Sequence, residues 1–199
     1  MSGLKIRCYK STLVSVISVD VIVGEFGKKN ILVSGGYANI EDIPGLIETL
    51  DEIDSKYGTI SQVFDADFIA GKNHILQASR LALDSLERGR AFANDSSIEL
   101  TCWTAGMRQI NKSLDRVGVK EDSERIAIVT IGEDVEKVKK AQDDTVEEIS
   151  MDLDDDVLDI DEEKEKNLTD AYSLSEDQLE THSIDELVIE KVALLSLEQ

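Results

Sequence analysis

The 199 residues carry 42 Asp and Glu against 21 Lys and Arg, a formal net charge of -21, with apolar residues at 41%, enough for one well-packed domain of ordinary size. The acidity is local: residues 1–132 hold 18 acids against 15 bases (-3) and residues 133–199 hold 24 against 6 (-18), which excludes a salt-adapted surface and leaves a near-neutral domain with an acidic attachment. Cys8 and Cys102 have no CxxC spacing and exclude a disulfide framework or a zinc site, while the longest apolar stretch, "LVSVISVDVIV", is broken by Ser15, Ser18 and Asp20 and falls short of a membrane span. A soluble cytoplasmic protein of a reducing compartment is expected.

In chain order, Val- and Ile-rich strands are expected at "KIRCY", "LVSVISVDVIVGEF" and "KNILVSG". A first helix starts near Glu41, carries Pro44 in its opening turn and presents Ile43, Leu46, Ile47, Leu50 and Ile53 at helical spacing until Gly58. After a strand at "ISQVFDA", a second helix opens at Gly71 with Ile75, Ala78, Ala82 and Leu86 on one stripe, widened by Leu76 and Leu83, and Gly89 in its final turn. "IELTCWTA" reads as a strand, Met107 to Val117 as a third helix ending at Gly118, and "RIAIVTIG" as a strand. These elements give a sheet with helices laid against it. Residues 143–170, with 14 acids and two lysines, lack a clear apolar period and are expected to form a disordered or weakly ordered acidic insert, so that residues 1–142 and 171–199 make up the domain.

Order returns at Ser183, which with Glu186 forms a capping-box signature before an apolar run. The helix that follows is apolar on more than one side. Val188, Val192 and Leu195 make one stripe, Ile189, Ala193 and Leu197 a second, and Leu187 with Leu194 a third edge. A surface helix needs one stripe, so the surplus points to burial against a partner protein; the plainer reading is a terminal helix sunk in its own core.

No catalytic constellation emerges. Gly71-Lys72 lacks the upstream glycine and the following Ser or Thr of a phosphate loop. His74 sits at the margin of the apolar stripe with no nucleophile paired to it, which favours a half-buried structural histidine. Asp152, Asp154, Asp156 and Glu163 occupy positions 1, 3, 5 and 12 of a calcium loop, but the sixth position is Val157, whose branched side chain resists the turn required there. Basic residues gather on or near the second and third helices: Lys72, Arg80, Arg88, Arg90, Arg108 and Lys112. Lys72 and Asn73 lie at a helix N-terminus, where free amides favour phosphate.

Taken in order, "AGKNHILQASRLA", "ERGRAFAN", "IELTCWTAGMRQINKSLDRVGV" and "VIEKVALLSL" resemble the kinase-binding (TPRKB-type) subunit of the KEOPS tRNA-modification complex, across most of the chain outside the insert. The resemblance implies an α+β domain with a mixed sheet that is not an enzyme and has no cofactor, no metal and no small-molecule substrate. It implies two partners, the atypical protein kinase subunit of KEOPS and tRNA, recruited through its 3′ CCA end in support of threonylcarbamoyladenosine formation; the surplus apolar stripes of the last helix place the kinase contact at Leu187, Ile189, Ala193 and Leu197, and the basic residues with the N-terminus of the second helix place the RNA contact at Lys72, Asn73, His74, Arg80, Arg88 and Arg108. The competing readings are a small α/β enzyme using His74 or Arg108 on a phosphorylated metabolite, and an acidic chaperone-like protein binding basic partners through residues 143–170.

Overall fold

Alternation of side chains along three long strands decides what each face of the sheet carries. In the structure, a computed structural model describing residues 18–198, strand β2 (Gly27–Tyr37) pairs with β1 (Asp20–Gly24) through a two-residue turn at Glu25–Phe26 and with β4 (Arg125–Gly132) on its other side. β4 pairs in turn with β3 (Ile60–Asp65), giving the order β1-β2-β4-β3, and the short β5 (Asp152–Leu153) adds to the end of β2. Every pairing among the described residues is antiparallel, so the α+β class holds while the expected mixed sheet does not. The expected strand "KIRCY", most of the apolar start of the next one, and Cys8 lie outside the described residues.

Ile31, Val33, Phe64, Ala127, Val129 and Ile131 point to one face, where they pack with helices α2 (Gly71–Glu87), α3 (Ser96–Ala105) and α8 (Ile184–Leu194). Their neighbours Val63, Ile126 and Ile128 point to the other, under α1 (Ile43–Tyr57) and α5 (Val135–Glu148). Gln142 of α5 donates to Ser34 Oγ at 2.8 Å and fixes that helix across the sheet. Helix α1 starts at Asp42, whose carboxylate accepts from the Gly45 amide, and ends at Gly58; α4 (Ile110–Val117) ends at Gly118.

Two expectations are corrected. "IELTCWTA" is helix α3, capped by Asp95 Oδ1, which accepts from the Ser97 and Ile98 amides. All of Glu99 to Ala105 is buried, and a helix buried on every side shows no polar period, so periodicity alone cannot tell it from a core strand. The acidic segment 143–170 is not an unstructured insert: it comprises the end of α5, β5, a 3₁₀ turn at Asp155–Leu158 and most of α6 (Glu162–Tyr172).

What seats the segment is the glycine pair Gly35-Gly36 in β2. A Cβ on Gly35 would stand 2.6 Å from Val157 Cγ2, and one on Gly36 would run into the Asp152 carbonyl. Val157 and Leu158 are consequently buried, while Leu168 of α6 is buried against α8. The carboxylates are used rather than merely repelling one another. Asp155 Oδ1 accepts from the Gly35 amide at 2.8 Å, Asp154 caps the 3₁₀ turn, and Asp161 caps α6 while pairing with Arg125, which also holds Asp67. Beneath them Lys164 is fully buried and donates to the carbonyls of Val157 (2.9 Å) and Leu158 (3.0 Å). Burial, followed by the neighbouring Arg125 charge, pushes its pKa down to about 8.

Candidate functional site

Helix α8 begins as its sequence dictates: Ser183 and Glu186 form the capping box, with the Glu186 carboxylate accepting from the Ser183 amide at 3.2 Å. Its inner face is continuous with the protein's interior. Ile184, Leu187 and Val188 pack with Leu168, Tyr172 and Leu174, the last two from α6 (Tyr172) and the short turn before α7 (Glu176–Leu179), and Val192 and Leu195 join the core around α2 and α3. Of the four residues expected to face a partner, Leu187 is therefore corrected to an interior residue, 3% exposed. Ile189 and Ala193 are half-buried along the outer flank, and Leu197 is 79% exposed. Leu194, at 46%, joins that flank. Its azimuth nearly matches that of Leu187, but it belongs to no buried cluster; what lies alongside the last turn, which periodicity does not report, decides its exposure. The result is an apolar ridge, Ile189, Ala193 and Leu194 on a helix whose other side is anchored, continued by Leu197 in the 3₁₀ turn Leu195–Glu198.

The basic residues do not form one open strip. Lys72 Nζ pairs with Asp20 (2.7 Å) and donates to Ser18 Oγ (3.3 Å), while Arg88 pairs with Asp84 (3.0 Å) and with Glu25 (3.2 Å). The carboxylates at the two ends of β1 thus occupy two of the cations of α2. Asn73 and Arg80 are exposed, Arg80 beside the Glu25–Phe26 turn. Arg108 is exposed with its guanidinium 5.3 Å from the centroid of the Phe92 ring. On α4 and the loop beyond it, Lys112 and Lys120 are also exposed, Lys120 lying over Phe68.

His74 is corrected outright. It is 0% exposed, its Nδ1 accepts from the Ala70 amide at 3.1 Å, and its Nε2–H donates to the Thr104 carbonyl at 2.8 Å. The Tyr172 ring stands edge-on at 5.8 Å and its hydroxyl donates to the same carbonyl at 3.0 Å. Burial lowers the imidazole pKa to about 4. No RNA reaches it. Gly71, the residue that opens α2, has φ +78°, so its role is to turn the chain into the helix.

Sequence reasoning missed Glu99. Its buried carboxylate accepts from the Phe92 and Ala93 amides (2.7 and 3.0 Å) and from Trp103 Nε1 (2.8 Å), and so sets the loop on which Phe92 meets Arg108. The available signal was an acid four residues before a tryptophan inside an otherwise apolar run. Among the described residues no group of three or more His, Cys, Asp or Glu is placed to hold a metal ion, and no helix is long and apolar enough to cross a membrane.

The sequence model of the family described as kinase binding protein CGI-121 matches residues 37–196, a span that includes α8 and the acidic segment. The chain belongs to the CGI-121 family. It is also 28% identical over 138 residues, 69% of this chain and 84% of the other, to the regulatory protein Cgi121 of Methanocaldococcus jannaschii. A CGI-121 domain here is an antiparallel sheet between two helical layers, with the ridge of α8 and the cations around α2 and α4 on its surface.

Proposed function

We propose that this protein is a non-catalytic regulatory subunit of the KEOPS complex, docking the atypical protein kinase subunit on the outer ridge of α8. The observation that carries this reading is the ridge itself. Ile189, Ala193 and Leu194, with Leu197 in the 3₁₀ turn that follows, leave apolar surface on a helix that is otherwise locked by its capping box and inner face, the arrangement expected of an interface core. Membership in a family named for kinase binding supports the same partner. Co-expression with the atypical kinase tests it: a stable 1:1 complex eluting as one species is expected, and separate elution at micromolar concentrations contradicts it.

The second arm of the reading is tRNA recruitment through the 3′ CCA end in support of threonylcarbamoyladenosine formation. Arg80 and Arg108 are its primary phosphate contacts, with Asn73 beside them on α2 and with Lys72 and Arg88 available on exchange from Asp20 and Glu25. The test is binding of intact against CCA-trimmed tRNA. Trimming is expected to weaken binding strongly; equal binding rejects end recognition.

A further inference from the structure

A second apolar surface lies away from α8, at the free edge of the sheet. Strand β3 is the last in the order β1-β2-β4-β3, and α1 on one face and α3 with α4 on the other overhang it to form a groove of about 340 Å³, within the size range of sites that take organic groups. Leu50 and Val63 form the floor, and Ile47, Ile98, Leu114 and Val119 the walls. Ile47 is 56% exposed and Leu114 39%. An apolar concavity flanked by exposed aliphatic side chains is suited in shape and chemistry to take the apolar anchors of a partner.

The edge itself states how a partner can bind. The outward amide of Ser61 already donates to Asp54 Oδ2 (2.7 Å), and that of Val63 to Gln62 Oε1 (2.9 Å). Phe64 is bridged to Gly118. Added-strand pairing needs open amides, so an extended segment cannot extend this sheet and a ligand must bind through side chains. The rim carries exposed carboxylates on both sides, Asp51 from α1 and Asp115 from α4; Lys120, the one cation of the lining among the described residues, is drawn over the Phe68 ring at 5.0 Å. That charge disfavours a nucleic-acid backbone and favours Lys or Arg.

We propose that this groove is a docking site for an amphipathic helix of a partner protein, one that inserts aliphatic anchors spaced a helical turn apart between Ile47 and Leu114 and sets basic residues against Asp51 and Asp115. Because the groove is built from α1, β3, α3 and α4, it is separate from the α8 ridge, and the failure of either reading leaves the other standing.

The probe is a synthetic helical peptide with leucines on one face and lysines at both ends, titrated into the full ¹⁵N-labelled chain. A twin with glutamates in place of the lysines and a single-stranded oligouridylate serve as comparison arms. The lysine peptide is expected to shift the amides of Ile47, Leu50, Val63, Ile98 and Leu114 with saturation. The glutamate twin, and the D51K/D115K double variant against the lysine peptide, should bind roughly tenfold more weakly. Both substituted positions are exposed, so folding is preserved. Shifts confined to α5 and α6 would show bulk attraction to the acidic surface and overturn the proposal. Equal affinity for both peptides, preferential oligouridylate binding at the groove, or the absence of groove shifts would overturn it as well.

Discussion

His74 holds a buried proton inventory that can be read out by titration. Its ordinary pKa of 6.5 is lowered to about 4 in the folded protein by burial, with the Thr104 hydrogen bond opposing the shift and the Lys164 charge adding to it. As pH falls, the unfolded chain therefore takes up the proton first. The stability attached to the neutral imidazole is complete above about 6.5 and is lost as pH drops toward about 4, by at most roughly 3 kcal/mol. In His74→Gln, the slope of unfolding free energy against pH in that window should be shallower than in wild type; superimposable slopes would mean that His74 titrates normally. The sequence placed this residue at a stripe margin. It could not show that Tyr172, far along the chain, closes over it.

At the scale of elements, the helices legible in the sequence are those with an apolar stripe or a local cap: α1 with both, after Asp42, α2 by its stripe, and α8 by its capping box at Ser183. Helix α3 was not legible, because it is buried all round. The acidic segment was misread for a different reason. Its sparse apolar residues meet a seat at Gly35-Gly36 more than a hundred residues earlier, and its acids serve as caps and ion-pair partners. Two outcomes follow from that seat. Gly35→Val should destabilise the fold by about 1–3 kcal/mol or more through overpacking against Val157, measured by chemical denaturation. Lys164→Ala should cost about 2–3 kcal/mol by leaving the Val157 and Leu158 carbonyls without donors. If both variants unfold like wild type while a protease cuts freely between residues 150 and 165, the segment is not part of the core.

Across the whole molecule, charge is segregated by chain region but locally neutralised where function would need it open. Asp20 at the start of β1 and Glu25 in the turn after it pair with Lys72 and Arg88, while the exposed Arg80 and Arg108 are the proposed primary phosphate contacts. With two phosphates neutralised, the slope of log affinity against log salt for tRNA should be roughly -1.5 to -2. Asp20→Asn, which releases Lys72, should strengthen binding at low salt and steepen the slope by about one unit as that cation meets a phosphate, whereas Glu25→Gln leaves Arg88 held by Asp84 and should change the slope little. An unchanged slope would place the RNA elsewhere.

The central claim is that the ridge of α8 is the kinase dock, and it rests on side chains whose removal should not harm the fold. Leu194 and Leu197 are exposed, so Leu194→Glu with Leu197→Glu alters the proposed interface without burying charge in the core. The decisive measurement is the calorimetric Kd of this double variant for the atypical kinase beside that of the wild-type chain, with melting temperatures taken in parallel. The expected result is an affinity loss of about 30-fold or more, the mark of an interface anchor, at an unchanged melting temperature. An unchanged Kd in a fully folded double variant would contradict it and move the kinase contact off α8.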